Sequence, residues 1–380
     1  MTRNDLSDVD QCVMCGLCLP HCPTYQLSRV EGESPRGRLA LMKALDSGAV
    51  EVTNDRLAYH LDRCLGCRAC EAMCPSNVPY FRLMDAARAR IYEASGPGRY
   101  GSRARMALKL TASTTATRLA GTFSGIMGVR SSYHGSVPGF DIGLDSDKGQ
   151  VFLFTGCTSS LVDPGLAEDA VLLLNLLGFG VIRSAPGVCC GALNRHAGNR
   201  DVADRQQTDI TGQADQHPDL PVLSLATGCA SELSGYPDAF SKRHQEITAF
   251  LADHADLERL EYQREASAVA VHVPCTQRNV LKQPEATWRL LDSLPGVNLK
   301  EIPLNYGCCG AGGLNQFEQK DIGEALLDPV LDWIEREQPE VIVSPNVGCS
   351  LHLQKGIERQ GLSLKLMHPL QFLASRIQAA

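Results

Sequence analysis

The chain has 380 residues, 44% of them hydrophobic and 21% charged, the make-up of a soluble globular protein with length for two or three domains. A formal net charge of −7 gives no reason to expect nucleic acid as a partner. The start, Met1-Thr2-Arg3-Asn4-Asp5, lacks a signal-peptide apolar core, and the longest apolar stretch, about Ala170 to Ile182, is interrupted by Asn175 and Gly178 and is too short to span a bilayer.

All 16 cysteines fall in motif-like positions, which points to metal ligation in a reducing compartment and away from a secreted disulfide scaffold. Cys12, Cys15, Cys18 and Cys22, followed by Pro23, spell C-x2-C-x2-C-x3-C-P; Cys64, Cys67, Cys70 and Cys74, followed by Pro75, spell it again. This is the ligand pattern of bacterial two-cluster ferredoxins. Three closely spaced thiolates wrap one cubane, and the fourth, before Pro, reaches the other. Cluster one is therefore assigned to Cys12, Cys15, Cys18 and Cys74, and cluster two to Cys64, Cys67, Cys70 and Cys22. Zinc is the alternative for C-x2-C pairs, but two identical four-Cys runs each closed by Pro favour iron–sulfur.

The insert Pro23 to Arg63 is longer than in compact ferredoxins and reads as helical near Arg36–Leu45 and Asp55–Leu61. Phe81, Met84, Ala87 and Ile91 recur at helical spacing, so a further helix is expected over Pro79–Ala94. The first domain is placed at residues 1–95. Gly96 to Phe140 contains no Asp or Glu but six basic residues: Arg99, Arg103, Arg105, Lys109, Arg118 and Arg130. It reads as a basic linker, 96–149, with one or two helices. A helix through Arg103, Met106 and Leu110 either lies on a membrane or acidic partner, or packs Met106, Leu108 and Leu110 on the chain's own core.

From Gln150 onward strands alternate with helices. Strands are expected at Val151–Thr155, Val181–Arg183, Val222–Ala226, Ala268–Val273, Leu299–Ile302 and Val341–Ser344. Helices are expected at Leu166–Leu177, Ala286–Leu294 and Phe317–Glu337. This alternation implies an α/β region with parallel sheets. The remaining cysteines repeat through it: Cys157, Cys189, Cys190 and Cys229 match Cys275, Cys308, Cys309 and Cys349 at offsets of 118, 119, 119 and 120. Cys189-Cys190-Gly191-Ala192 also echoes Cys308-Cys309-Gly310-Ala311. The region is an internal duplication, placed at 150–262 and 263–380. Its cysteines follow the carboxyl ends of strands, where open parallel sheets bind ligands. Four thiolates can converge within each repeat, or all eight at one interface. These eight are taken to hold one or more additional clusters, with zinc in one repeat as an alternative.

These residues resemble the cysteine-rich, CC-Gly family of the heterodisulfide reductase catalytic subunit. Joined to a two-cluster ferredoxin, they resemble glycolate oxidase iron–sulfur subunits over nearly the whole chain. Cys22-Pro23-Thr24-Tyr25, Pro35-Arg36-Gly37-Arg38, His60-Leu61-Asp62-Arg63-Cys64-Leu65, Pro274-Cys275-Thr276 and Gly348-Cys349-x-x-His352 carry the likeness. The resemblance implies a helical ferredoxin-like domain, a partner FAD-binding oxidase that acts on a 2-hydroxy acid, and a membrane quinone as eventual acceptor. It implies a cytoplasmic protein, or one peripheral on the inner face of the cell membrane. Lactate or glycerol 3-phosphate in place of glycolate, and disulfide reduction at the CC-Gly centre, are the alternative functions. The heterodisulfide reductase form ends each repeat in C-x-x-C; here Glu232 and His352 replace that last Cys. An ordinary cubane, or a cluster shared between repeats, therefore fits better than a five-thiolate one. His352 is a candidate ligand, with a solvent-facing or core-satisfied histidine as the alternative. No G-x-G-x-x-G follows a strand, and hydride removal needs a flavin or nicotinamide, so no catalytic residue is assigned to this chain.

Overall fold

The computed structural model describes residues 5–117 and 146–378. The first part is helical. Helix Pro35–Asp46 starts at Ser34, whose Oγ accepts the Gly37 N–H at 2.9 Å, with Pro35 where its missing N–H costs nothing. A Cβ on Gly37 would lie 1.9 Å from the Glu31 carbonyl oxygen, so glycine is required in Pro35-Arg36-Gly37-Arg38. Helix Asp55–Asp62 is capped by Asn54, and helix Tyr80–Ser95 buries Leu83, Met84, Ala87 and Ile91 against Leu39, Met42, Leu57 and Leu61. All three helices lie within one residue of their expected bounds.

Two four-stranded parallel sheets follow. β1 (Gln150–Phe154), β2 (Gly180–Arg183), β3 (Val222–Ser224) and β4 (His244–Glu246) stand in the order β2-β1-β3-β4. β5 (Ser267–Val271), β6 (Val297–Glu301), β7 (Val341–Val343) and β8 (Lys365–Met367) repeat it as β6-β5-β7-β8. The registers match: Leu153 pairs with Leu223 as Val271 pairs with Val343. β4 and β8 carry no sequence signal, being three-residue edge strands without a run of alternating apolar residues. The helix expected over 317–337 is two, Asn315–Glu318 and Lys320–Glu337, separated at Gln319.

The repeats exchange their packing. Helix Ile247–His254 of the first lies on helix Ala286–Leu291 of the second, and helix Gly165–Leu176 of the first lies on helix Pro369–Ser375 of the second. Leu153, Leu173, Leu223 and Phe250 thus share one core with Val271, Leu290, Val343 and Phe372. This is a pseudo-twofold arrangement that buries one face of each sheet.

Helix Ser102–Ala112 packs inward: Ala104 and Leu108, with Tyr100, contact Ala197 and Leu314. Leu108 is buried as one of the two expectations required, but Met106 is 55% exposed and Leu110 only half-buried. The face that packs is the one carrying Ala104, which small size hid from a reading based on large apolar residues. Arg118 and Arg130 of the basic linker lie outside the described residues. Among the described residues, no helix is long and apolar enough to cross a membrane.

Candidate metal centres

One cavity of the helical part is lined by Cys12, Cys15, Cys18 and Cys74. A second is lined by Cys22, Cys64 and Cys67. Cys70 lines both, as does Tyr80, whose hydroxyl lies 3.9 Å from the Cys64 Sγ. Each Cys preceding a Pro has crossed to the other motif's cavity. The two environments differ. Around the first, Cys15 is exposed, and Val13, Met14 and Leu17 stand 68%, 50% and 57% exposed. Beside the second, Arg38 is buried; it donates to Glu33 at 3.1 Å, to the His60 carbonyl at 2.8 Å and to Thr24 Oγ1 at 3.0 Å. Thr24 Oγ1 in turn lies 3.4 Å from the Cys22 Sγ. A fixed cation thus stands next to a pocket of thiols that become anionic on binding metal.

In each parallel sheet the strand order reverses, between β1 and β3 and between β5 and β7, and the cysteines flank that switch point. Cys157 opens the helix after β1, Cys189 and Cys190 follow β2, and Cys229 lies in the helix after β3. Cys275, Cys308, Cys309 and Cys349 occupy the matching places. The thiols cluster. Cys157 Sγ lies 3.2 Å from Cys189 Sγ, and Cys190 neighbours both Cys189 and Cys229. In the second repeat Cys308 neighbours Cys275, and Cys309 neighbours Cys349. Hydrogen bonds from neighbouring thiols hold Cys190 and Cys309 well below the usual thiol value, and drive their partners Cys229 and Cys349 up. Such a set ionises together only when a cation sits among it. The donors therefore fit a metal centre, with thiols brought together inside each repeat.

The glycine of each CC-Gly turn has a specific task. Gly191 and Gly310 hold φ of 83° and 93°, a left-handed conformation. From there their N–H groups point back at the Cys189 and Cys308 Sγ, each at 3.4 Å. N–H donors to sulfur of this kind stabilise thiolate and tune an iron–sulfur centre.

Both replacements for the missing fifth Cys have partners of their own. Glu232 is buried and paired with Arg195, and His352 is buried with Nε2 3.1 Å from the Gly323 carbonyl. His352 is thus the core-satisfied histidine. The sequence reading overlooked His272, which lies with Cys309 and Cys349 so that their ligand atoms all fall within 4.8 Å. Its signal was its place three residues before Cys275, at the end of β5.

The centres are not evenly spread. Cys67 and Cys275 pack against the cluster formed by Leu65, Cys308, Ile322 and Leu326. Burial, then the neighbouring Cys308 thiol, pushes the Cys67 thiol up. Asn279 donates to the Cys67 carbonyl at 2.8 Å, and Arg63 clamps Gln319 and Asp321 at 2.9 and 3.0 Å. The second cavity of the helical part therefore abuts the cysteines of the second repeat. The first repeat meets the helical part elsewhere, through His196 against Phe81 with ring centroids 4.8 Å apart.

Fold and site together define an iron–sulfur protein that joins a dicluster domain to duplicated cysteine-rich domains. The 4Fe-4S dicluster domain model matches residues 8–78, and the CCG cysteine-rich domain model matches 151–234 and 269–354, so the chain carries one domain of the first kind and two of the second. It is homologous to glycolate oxidase iron–sulfur subunits: 28% identical to the probable one of Bacillus subtilis (strain 168), over 96% of this chain and 92% of that one, and 28% identical to that of Escherichia coli (strain K12), over 90% and 89%. It is also 26% identical to lactate utilization protein A of Geobacillus sp. (strain WCH70), over 60% of this chain and all of that protein.

Proposed function

We propose that this chain is the iron–sulfur subunit of a 2-hydroxy acid oxidoreductase, glycolate being the first substrate to test, and that it takes electrons from an FAD-binding partner toward a quinone-type acceptor. Cys12, Cys15, Cys18 and Cys74 hold one cubane, Cys64, Cys67, Cys70 and Cys22 the next, and the CC-Gly cysteines hold one further centre in each repeat. When bound, such clusters supply one-electron transfer. The chain's own part is alignment and burial. Residues 1–95 carry the helical domain, 96–149 the connection, and 150–262 and 263–380 the two repeats.

The observation that carries this reading is the unbroken packing of sulfur sites. Cys308 of the second repeat meets Cys67; Cys67 lines the second cavity; Cys70 joins that cavity to the first; and Cys15 opens the first to solvent. The relatives' names support a 2-hydroxy acid as the electron source. The lack of a fifth thiolate in either repeat, with Glu232 and His352 engaged elsewhere, weighs against disulfide reduction at the CC-Gly centre.

The test is to purify the chain together with its FAD-binding partner, add glycolate or lactate, and follow the clusters by electron paramagnetic resonance. Reduction of the clusters, with an iron content of about sixteen atoms, supports the reading, and about twelve would limit it to a single further cluster. Clusters that stay oxidised with every 2-hydroxy acid, or about eight iron atoms only, reject it.

A further inference from the structure

The imidazole of His272 has no role yet. It lies at the carboxyl end of β5, fully buried, and its Nδ1 is 2.9 Å from the Ser344 Oγ. Its Nε2 is buried with no hydrogen-bond partner. An unpaired imidazole nitrogen in the interior costs free energy unless something occupies the space it faces. Cys309 and Cys349 are its neighbours there.

The first repeat provides a control built into the same chain. The offset of 118 that relates Cys157 to Cys275 puts Phe154 opposite His272, and the offset of 120 that relates Cys229 to Cys349 puts Ser224 opposite Ser344. Phe154 is buried and packs with Cys190 and Cys229, as His272 sits beside Cys309 and Cys349. The position is therefore apolar in one copy and polar in the other, with the same fold around it. Ser224 turns instead to His244, 3.0 Å away. The difference is confined to the second repeat, the copy whose Cys308 meets Cys67.

Four thiolates already complete the ligands of a cubane, so a fifth donor is not needed to hold it. We infer that His272 is a positioning residue for the second repeat's centre: its Nε2–H donates a hydrogen bond to the Cys309 thiolate, with Ser344 donating to Nδ1 to fix that tautomer. This rests on the reading that the second repeat holds an iron–sulfur cluster. A donor aimed at a ligand sulfur delocalises its negative charge and raises the reduction potential, while the first repeat's centre, faced by Phe154, lacks that bond.

The test compares the full chain with His272→Phe and His272→Gln by potentiometric titration followed by electron paramagnetic resonance. Phenylalanine is the residue the fold already accepts at this place, and glutamine keeps an N–H at similar reach. His272→Phe should lower the potential of one centre beyond the dicluster pair. The expected change is tenfold in its reduction equilibrium, about 59 mV for one electron. His272→Gln should keep most of the wild-type potential, and 15N-histidine labelling of wild type should show a weak through-hydrogen-bond coupling on that centre. The proposal is overturned by an unmoved potential in His272→Phe, by equal shifts in both variants, or by a coupling as strong as direct ligation. Absence of any centre beyond the dicluster pair in wild type overturns the cluster reading itself, and is recognised by iron content before any variant is made.

Discussion

The two cysteine-rich repeats have the same strand order, the same four thiol positions and the same glycine turning an N–H onto sulfur. They differ in what surrounds those parts. The second repeat lays Cys308 against Cys67 and sets His272 beside its thiols; the first keeps Phe154 at that place and meets the helical part through His196 and the residues around it, Leu193, Ala197 and Gly198, away from its thiols. Duplication thus preserved the means of holding a metal centre, and the wiring diverged. A binding site is defined by strand ends and backbone, whereas connectivity is decided by a few side chains at a docking face.

The sharpest way to break this comparison is to remove one thiol from each copy. Cys309→Ala and Cys190→Ala should each lose about four iron atoms. Only Cys309→Ala should drop flavoprotein-driven reduction of the dicluster pair to the level seen without the partner. Equal kinetic losses in the two variants would show that both repeats lie on the path.

Matching positions 232 and 352 should respond next most strongly. Arg195→Ala strands the buried Glu232 carboxylate and should cost about 3–5 kcal/mol in denaturant titration, whereas His352→Ala removes a single bond to the Gly323 carbonyl and a buried ring, about 2–3 kcal/mol. Burial holds the Glu232 carboxyl above its ordinary 4.5, so its contribution to stability falls as pH rises through that value; without Arg195 the fall should extend to higher pH.

The glycines should separate by a smaller margin. A Cβ at Gly310 would stand 2.6 Å from the Gly323 carbonyl oxygen, one at Gly191 3.1 Å from that of Ala203. Both pay for the left-handed backbone, but Gly310→Ala should be the worse, roughly 2–4 against 1–2 kcal/mol by thermal or chemical unfolding.

The smallest contrast is one of slope. Glu246 and His368 cap matching helices after β4 and β8. Burial raises Glu246 to about 7, so stability is lost as pH rises from 4.5 toward 7. Burial lowers His368 to about 3, so stability is lost as pH falls from 6.5 toward 3. Glu246→Gln should flatten the first limb and His368→Gln the second, each by up to about 1.4 kcal/mol per pH unit.

Much of this was legible in the sequence because cysteine spacing and apolar periodicity are strong signals. The three longest helices of residues 1–95, the interior strands and the duplicated cysteine sets all follow from them. What escaped lacked such signals. β4 and β8 are short edges whose pairing depends on neighbours distant in sequence. Ala104 packs where Met106 was expected because the partner surface, Ala197 and Leu314, approaches closely enough to suit a small side chain. His272 matched no ligand motif; only the register of β5 on β7 brings it beside Ser344 and over the thiols. The opposition of Glu33 and Arg38 behind Cys22 was visible as residues but not as a counter-charge, since nothing in their spacing states that both are buried.

The helices packed between the repeats carry one more consequence, for the independence of each half. Neither half owns a complete interior, because Leu290 and Phe372 of one finish what Leu173 and Phe250 of the other begin. One repeat alone would leave those apolar surfaces exposed to water. A chain cut between residues 255 and 266 should therefore yield two fragments that are unstable apart and recover their structure when mixed.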